Sequence, residues 1–259
     1  MHLPIIHGTI NRRILVNFRA DPEVVHRIHP APFRPRLIHG VSLVGICLIR
    51  LKGIRPGFLP AWCGIESENA AHRIAVEWDE GHETRSGVFV PCRDTSSRWN
   101  ALAGGRLFPG LHHPARFDVD ESDTAWNVAF DRLDGMAHVA VRTTAATSLP
   151  PTSVFATLDE ASGFFARDSL GYSPSRAANT FDGLELRTHN WQIDPLALHH
   201  VESSFFDDPT RFPPGSITFD STFLMRGIEH EWHIHKPLCC GAMSDDHSCA
   251  IAEKALARE

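Results

Sequence analysis

The chain has 259 residues and a mass of 28.8 kDa, with 42% hydrophobic and 22% charged residues, so it is long and apolar enough to bury one large core. A net charge of −6 and a pI near 6.3 argue against a nucleic-acid binder, which usually carries a basic face. The longest apolar stretch, Val41–Ile49, is too short and too interrupted to be a membrane span.

The start has no basic segment leading into an apolar run, and Cys47, Cys63 and Cys92 sit singly in or beside apolar stretches, as buried thiols do. A reduced, cytoplasmic protein is the expectation. Only Lys52, Lys236 and Lys254 are lysines among 25 basic residues, which leaves few groups for amine chemistry.

In chain order, Ile14–Phe18 is a short apolar strand. Asp21-Pro22-Glu23 starts a brief helix, with a capping oxygen, a proline at the first position and a carboxylate in the first turn. Leu37–Leu51 reads as one bent strand broken by Gly40 and Gly45. His72–Trp78 alternates, with Ile74, Val76 and Trp78 on the core face and Arg73 and Glu77 opposite. Gly87–Cys92 is its antiparallel partner, and Thr95–Ala103 reads as a helix capped by Asp94 or Thr95.

Arg116–Glu121, Trp126–Leu133 and Ala137–Thr144 follow as strands, the last two joined by Asp134-Gly135. Thr157 and Glu160 form a capping box for a helix running to Arg167, anchored by Phe164 and Phe165. Leu184–Thr188, His189–Ile193, Leu198–Phe206 and Ser216–His235 read as further strands. About ten strands and few helices predict a β-rich α+β fold: an antiparallel sheet closed into a barrel or cone. One domain is expected over residues 1–235, with a polar tail over 236–259 that carries a marginal helix at Ala250–Ala257.

Several phrases in this order, FRPRLIHGVSLVGICLIRL, SENAAHRIAVEW, GVFVPCRDTSS, GGRLFPGLHH, LDEASGFF and FPPGSITFDSTFLM, resemble the uncharacterised YqjF-like family of the acetoacetate decarboxylase-like superfamily. The resemblance runs from about Ile14 to His235. It implies a β-barrel-like fold with a polar pocket inside a cone of strands. The decarboxylases use a pocket lysine that forms a Schiff base, and it follows an aromatic-proline pair. In the similar stretch here, Leu107-Phe108-Pro109-Gly110, glycine stands in that place. An imine cannot form on glycine, so the resemblance carries the fold and not that chemistry.

The polar residues of Cys63–His113 supply the leading candidates. If the Arg73 face points inward, Arg73, Glu77, Arg93 and Arg106 suit an anionic ligand, because a guanidinium grips a carboxylate bidentately. Glu66, Glu68, His72 and His112 are candidates for proton transfer. The bland alternative is that these are structural ion pairs and loop caps. Lys52, on a strand face with Arg50, is a weaker candidate nucleophile that more often snorkels to water. Glu231, His233 and His235 share a strand face, and His-x-His is a workable metal pair, though without the helical zinc-protease spacing.

The resulting expectation is a barrel pocket for a small organic acid or carbonyl compound, with no cofactor, metal, nucleic acid or membrane and with room for a homo-oligomer. Lyase or hydrolase chemistry by acid and base, without a Schiff-base lysine, is the leading reading. A non-catalytic binding module is the alternative, and a metal enzyme at His233 and His235 the second alternative.

Overall fold

The structure is a computed structural model and describes residues 5–105 and 108–239. Strand-forming residues dominate: β1 (Ile6–Ala20), β2 (Arg34–Pro35), β3 (Leu37–Ile38), β4 (Val41–Pro56), β5 (Ile65–Glu80), β6 (Glu83–Thr95), β7 (His113–Glu121), β8 (Ala125–Arg132), β9 (His138–Ala145), β10 (Leu170–Pro174), β11 (Thr180–Thr188), β12 (Asp194–Ser203) and β13 (Ile217–Cys239). The helices are α1 (Pro22–His26), α2 (Arg98–Ala103) and α3 (Leu158–Arg167), with one 3-10 turn at Ala61–Cys63.

All strands join one sheet, and it closes on itself. A tighter ring runs β13-β1-β4-β5-β6-β10-β11 and returns to β13. A wider path leaves β6 through β7, β8, β9 and β12 and also returns to β13. The wall β13-β1-β4-β5-β6 is therefore shared, and both of its faces are covered. This is the β-rich, ring-forming fold with a few short helices expected from the residue pattern and the resemblance, except that the sheet is not antiparallel throughout: β6 pairs in parallel with both β7 and β10.

Alternation along the shared wall sorts the side chains. Ile14 and Val16 of β1, Ile46 and Leu48 of β4, and Ile74, Val76 and Trp78 of β5 meet Val128, Phe130, Val139 and Val141 of β8 and β9 in the larger core. Their neighbours Leu15, Leu43, Cys47 and Ala75 face the tighter ring, where Phe164 and Phe165 of α3 pack against them. α3 is capped as predicted: Thr157 Oγ1 accepts from Glu160 N, and Glu160 Oε2 accepts from Ala156 N.

Several elements differ from expectation for identifiable reasons. Leu37–Leu51 is not one bent strand, because His39 and Gly40 both have positive φ (47° and 85°). That is the backbone of a two-residue hairpin, and Leu37 pairs back on Ser42. α2 begins later than expected, with Ser97 as its cap, since the Asp94 side chain is taken by Arg132. His189–Ile193 is not a strand; the Trp191 indole instead donates to Ser162 Oγ on α3. β12 stops at Ser203, leaving Phe205 and Phe206 in a buried turn. β13 continues past His235 to Cys239, and the expected helix at Ala250–Ala257 lies outside the described residues.

Candidate functional site

Inside the tighter ring lies a cavity of about 510 Å³ to which each of its seven strands contributes. The lining is largely apolar, and four of its ten polar side chains are arginines. Arg13 on β1, Arg73 on β5 and Arg93 on β6 all reach it, because each stands at an inward-facing position of the wall. The register ties them together: Cys47 lies opposite Ala71, Ala71 opposite Arg93, and Arg73 is two residues along the same strand.

None of the three guanidiniums has a carboxylate within 4.0 Å among the described residues; their partners are neutral. Arg13 Nε donates to Cys47 Sγ at 3.2 Å. Arg73 donates to Asn17 Oδ1, lies 5.0 Å above the Phe165 ring, and leaves its buried Nε unpaired. Arg93 Nε donates to Ser173 Oγ at 2.8 Å. Burial pushes both Arg73 and Arg93 down to about 10, which still leaves them charged at neutral pH.

The cavity holds two carboxylates, each already engaged with an arginine outside it. Asp94 accepts from Arg132 Nε at 2.7 Å, and Asp168, just beyond α3, is paired with Arg36. Burial pushes the Asp168 carboxyl up to about 7 against the pull of Arg36 and Arg73. His112 also lines the cavity; burial and the Arg93 charge bring it down to about 3. Its Nδ1 lies 3.0 Å from the Gly110 carbonyl, which can only accept, so the neutral ring carries its proton there.

Of the candidate residues, the fold brings Arg73, Arg93 and His112 to this cavity. Arg106 lies outside the described residues. Glu77 does not line the cavity: it points to Arg34 Nε at 2.7 Å, because β2 pairs with β5 there. Glu68 is tied to Arg12 and Arg50, which also hold Glu121, in a closed ring of two arginines and two glutamates. Glu66 is exposed outside the lining. His72 faces the larger core, where its Nε2 is 3.1 Å from Ser203 Oγ and its ring lies 4.8 Å from that of Phe205; burial lowers it to about 3.

Lys52, opposite Thr9, does not line the cavity either. His233 Nε2 turns to Glu231 at 2.9 Å and His235 Nε2 to Glu185 at 3.0 Å. The two imidazoles thus engage different carboxylates, and among the described residues no three His, Cys, Asp or Glu side chains converge as a metal set. Sequence reasoning missed Arg13, Cys47 and Asp168. Arg13 was discoverable in principle: extending the first strand two residues back puts Arg12 and Arg13 on opposite faces. Trp191 and Trp232 pack against the smaller core and also line the cavity.

Gly110 occupies the position where the resemblance would put the lysine. Its φ is +80°, and a Cβ there would stand 3.0 Å from Ser173 Cβ and 3.2 Å from Arg93 Nε. The backbone therefore favours glycine, and the nearest cation is Arg93.

A strand-rich sheet that closes into a ring is the acetoacetate decarboxylase-like fold, and solved structures share it. An acetoacetate decarboxylase-like enzyme from Sphingomonas wittichii RW1 superposes with a TM-score of 0.57 at 12% identity, covering 92% of this chain and 94% of its own. Acetoacetate decarboxylase from Legionella pneumophila gives 0.53 at 10% identity, covering 90% and 88%. The enduracididine biosynthesis enzyme MppR complexed with pyruvate gives 0.54 at 12%, covering 92% and 90%. At such identities the likeness is one of fold. The chain belongs to the family DUF2071, "Uncharacterized conserved protein (COG2071)", whose model matches residues 7–218. No curated protein sequence matches it.

Proposed function

We propose that the chain binds a small organic carboxylate, with or without a neighbouring carbonyl, inside the tighter ring, and acts on it as a lyase or hydrolase by acid–base chemistry without an imine. One observation carries the reading: three cavity guanidiniums have only neutral partners. Charges desolvated in this way are costly unless an anion joins them. One guanidinium holds the carboxylate. A second faces the carbonyl oxygen where negative charge develops during bond cleavage. Asp168, titrating at about 7, is suited to exchange a proton with the reacting carbon, while His112, held neutral by burial and the Arg93 charge, offers only a hydrogen bond. The pyruvate complex of MppR supports the choice of an oxo acid as the first ligand to try.

A second reading, a binding module without turnover, rests on the same cations and on the largely apolar lining. The test is a panel of 2- and 3-oxo acids followed by proton NMR for turnover and by calorimetry for binding. Binding that weakens at least tenfold in both Arg73→Met and Arg93→Met supports the site. Turnover lost in Asp168→Asn with binding retained supports the enzyme; binding without turnover supports the module. Folded protein that ignores every acid at millimolar concentration sinks both.

A further inference from the structure

The cavity has a polarity that a three- or four-carbon acid does not use. The cations gather on one set of rungs: Arg13 opposite Ile49 and Met225, Arg93 in line with Cys47, Arg73 opposite Gly45. α3 closes this end, with Phe165 beneath Arg73 and Asp168 beside it. Seven residues along β4, the rungs are apolar: Ile54 faces Ile65, and Leu186, Trp232, Ile6 and Pro56 are successive partners across β11, β13, β1 and β4. At about 3.3 Å per residue, the two sets of rungs stand on the order of 20 Å apart. The apolar end is the wet one, since Phe58, Trp62 and Ile65 near the β4–β5 turn are exposed. Arg55, the cation at that end, donates to the carbonyls of Gly53 and Leu59.

We infer that the ligand is an amphipathic carboxylate: its anionic head sits among Arg13, Arg73 and Arg93, and an aliphatic or aromatic body of more than a few carbons fills the bore towards Trp232. The inference rests on the proposed carboxylate site and sharpens it. Size supports it. At roughly 30 Å³ per water-sized group, the cavity has room for about 17 such groups, and a pyruvate-sized acid leaves most of it to water against apolar walls. Chemistry supports it as well, because an apolar body releases that water while the head neutralises the cations. Neither Asp94 nor Asp168 competes for the head, as each is paired with its own arginine.

The test is calorimetric titration of the full-length chain with butanoate, hexanoate, octanoate and decanoate below their micellar concentrations, with octan-1-ol as the uncharged control. The expected result is an affinity that rises about fourfold per methylene through octanoate, as full burial of each group requires. Octan-1-ol should bind at least tenfold more weakly than octanoate. Leu186→Asn should flatten the series, whereas Arg93→Met should weaken every member alike. Equal binding of butanoate and decanoate overturns the amphipathic class and leaves the carboxylate site standing. Octan-1-ol binding as tightly as octanoate overturns the placement of the head. No binding by any carboxylate removes the site itself.

Discussion

At the scale of single residues, the informative positions are those where a side chain has only one place to go. Arg12 and Arg13 are adjacent, yet alternation sends Arg12 into an ion network and Arg13 into the cavity. Gly110 is the complementary case, a position at which any side chain is strained. Its positive φ and the nearness of Ser173 and Arg93 predict that Gly110→Ala loses about 1–2 kcal/mol of stability. The same change should displace the Arg93 guanidinium and weaken carboxylate binding. Urea unfolding and calorimetry on one preparation check both effects; an alanine variant of wild-type stability would show that the backbone tolerates a side chain there.

At the scale of elements, the ring of Arg12, Glu68, Arg50 and Glu121 fastens β7 to the shared wall. Arg12 is almost wholly buried, and its two carboxylate partners are only partly exposed. Arg12→Met therefore leaves two carboxylates to a single arginine and is expected to cost about 3 kcal/mol in urea unfolding. Adding Glu68→Gln alone should recover most of that loss, because Arg50 and Glu121 then remain as a balanced pair. A double variant no more stable than Arg12→Met would mean that packing by the Arg12 stem, not charge balance, carries the contribution.

At the scale of the whole molecule, burial fixes the response to acid. His29 and His230 are brought down to about 4, and His72 and His112 to about 3, chiefly by burial. Each is neutral when folded and binds a proton near 6.5 once unfolded, so its contribution is present above pH 6.5 and lost as pH falls from there towards 4 and 3. Asp168 has the opposite sign. Raised to about 7, it favours the fold below its ordinary value of 3.8, and that contribution is lost as pH rises through 7. Between pH 6.5 and 4 unfolding thus takes up a net of about three protons from these groups, a slope of at most about 4 kcal/mol per pH unit. Against the roughly 5–15 kcal/mol that usually separates folded from unfolded chains, the protein is expected to unfold near pH 5. Urea midpoints measured across that range test the sum, and a flat profile from pH 7 to 5 contradicts it.

The sequence by itself determined the strand-rich class, the capped α3 and the sorting of Ile74, Val76 and Trp78 onto a core face. These depend on local periodicity and side-chain oxygens, which need no distant partner. It also marked Arg73, Arg93 and His112 as candidates, through the density of polar residues in Cys63–His113, without deciding which face they take. Only the tertiary structure decided that Glu68 and Glu77 belong to ion pairs, that His72 packs on Phe205, and that Arg13, Cys47 and Asp168 join the cavity. Those outcomes depend on which of two sheet faces closes on which layer. Period-2 alternation is the same for either face, so ring closure through β11 and β13 was needed to choose between them.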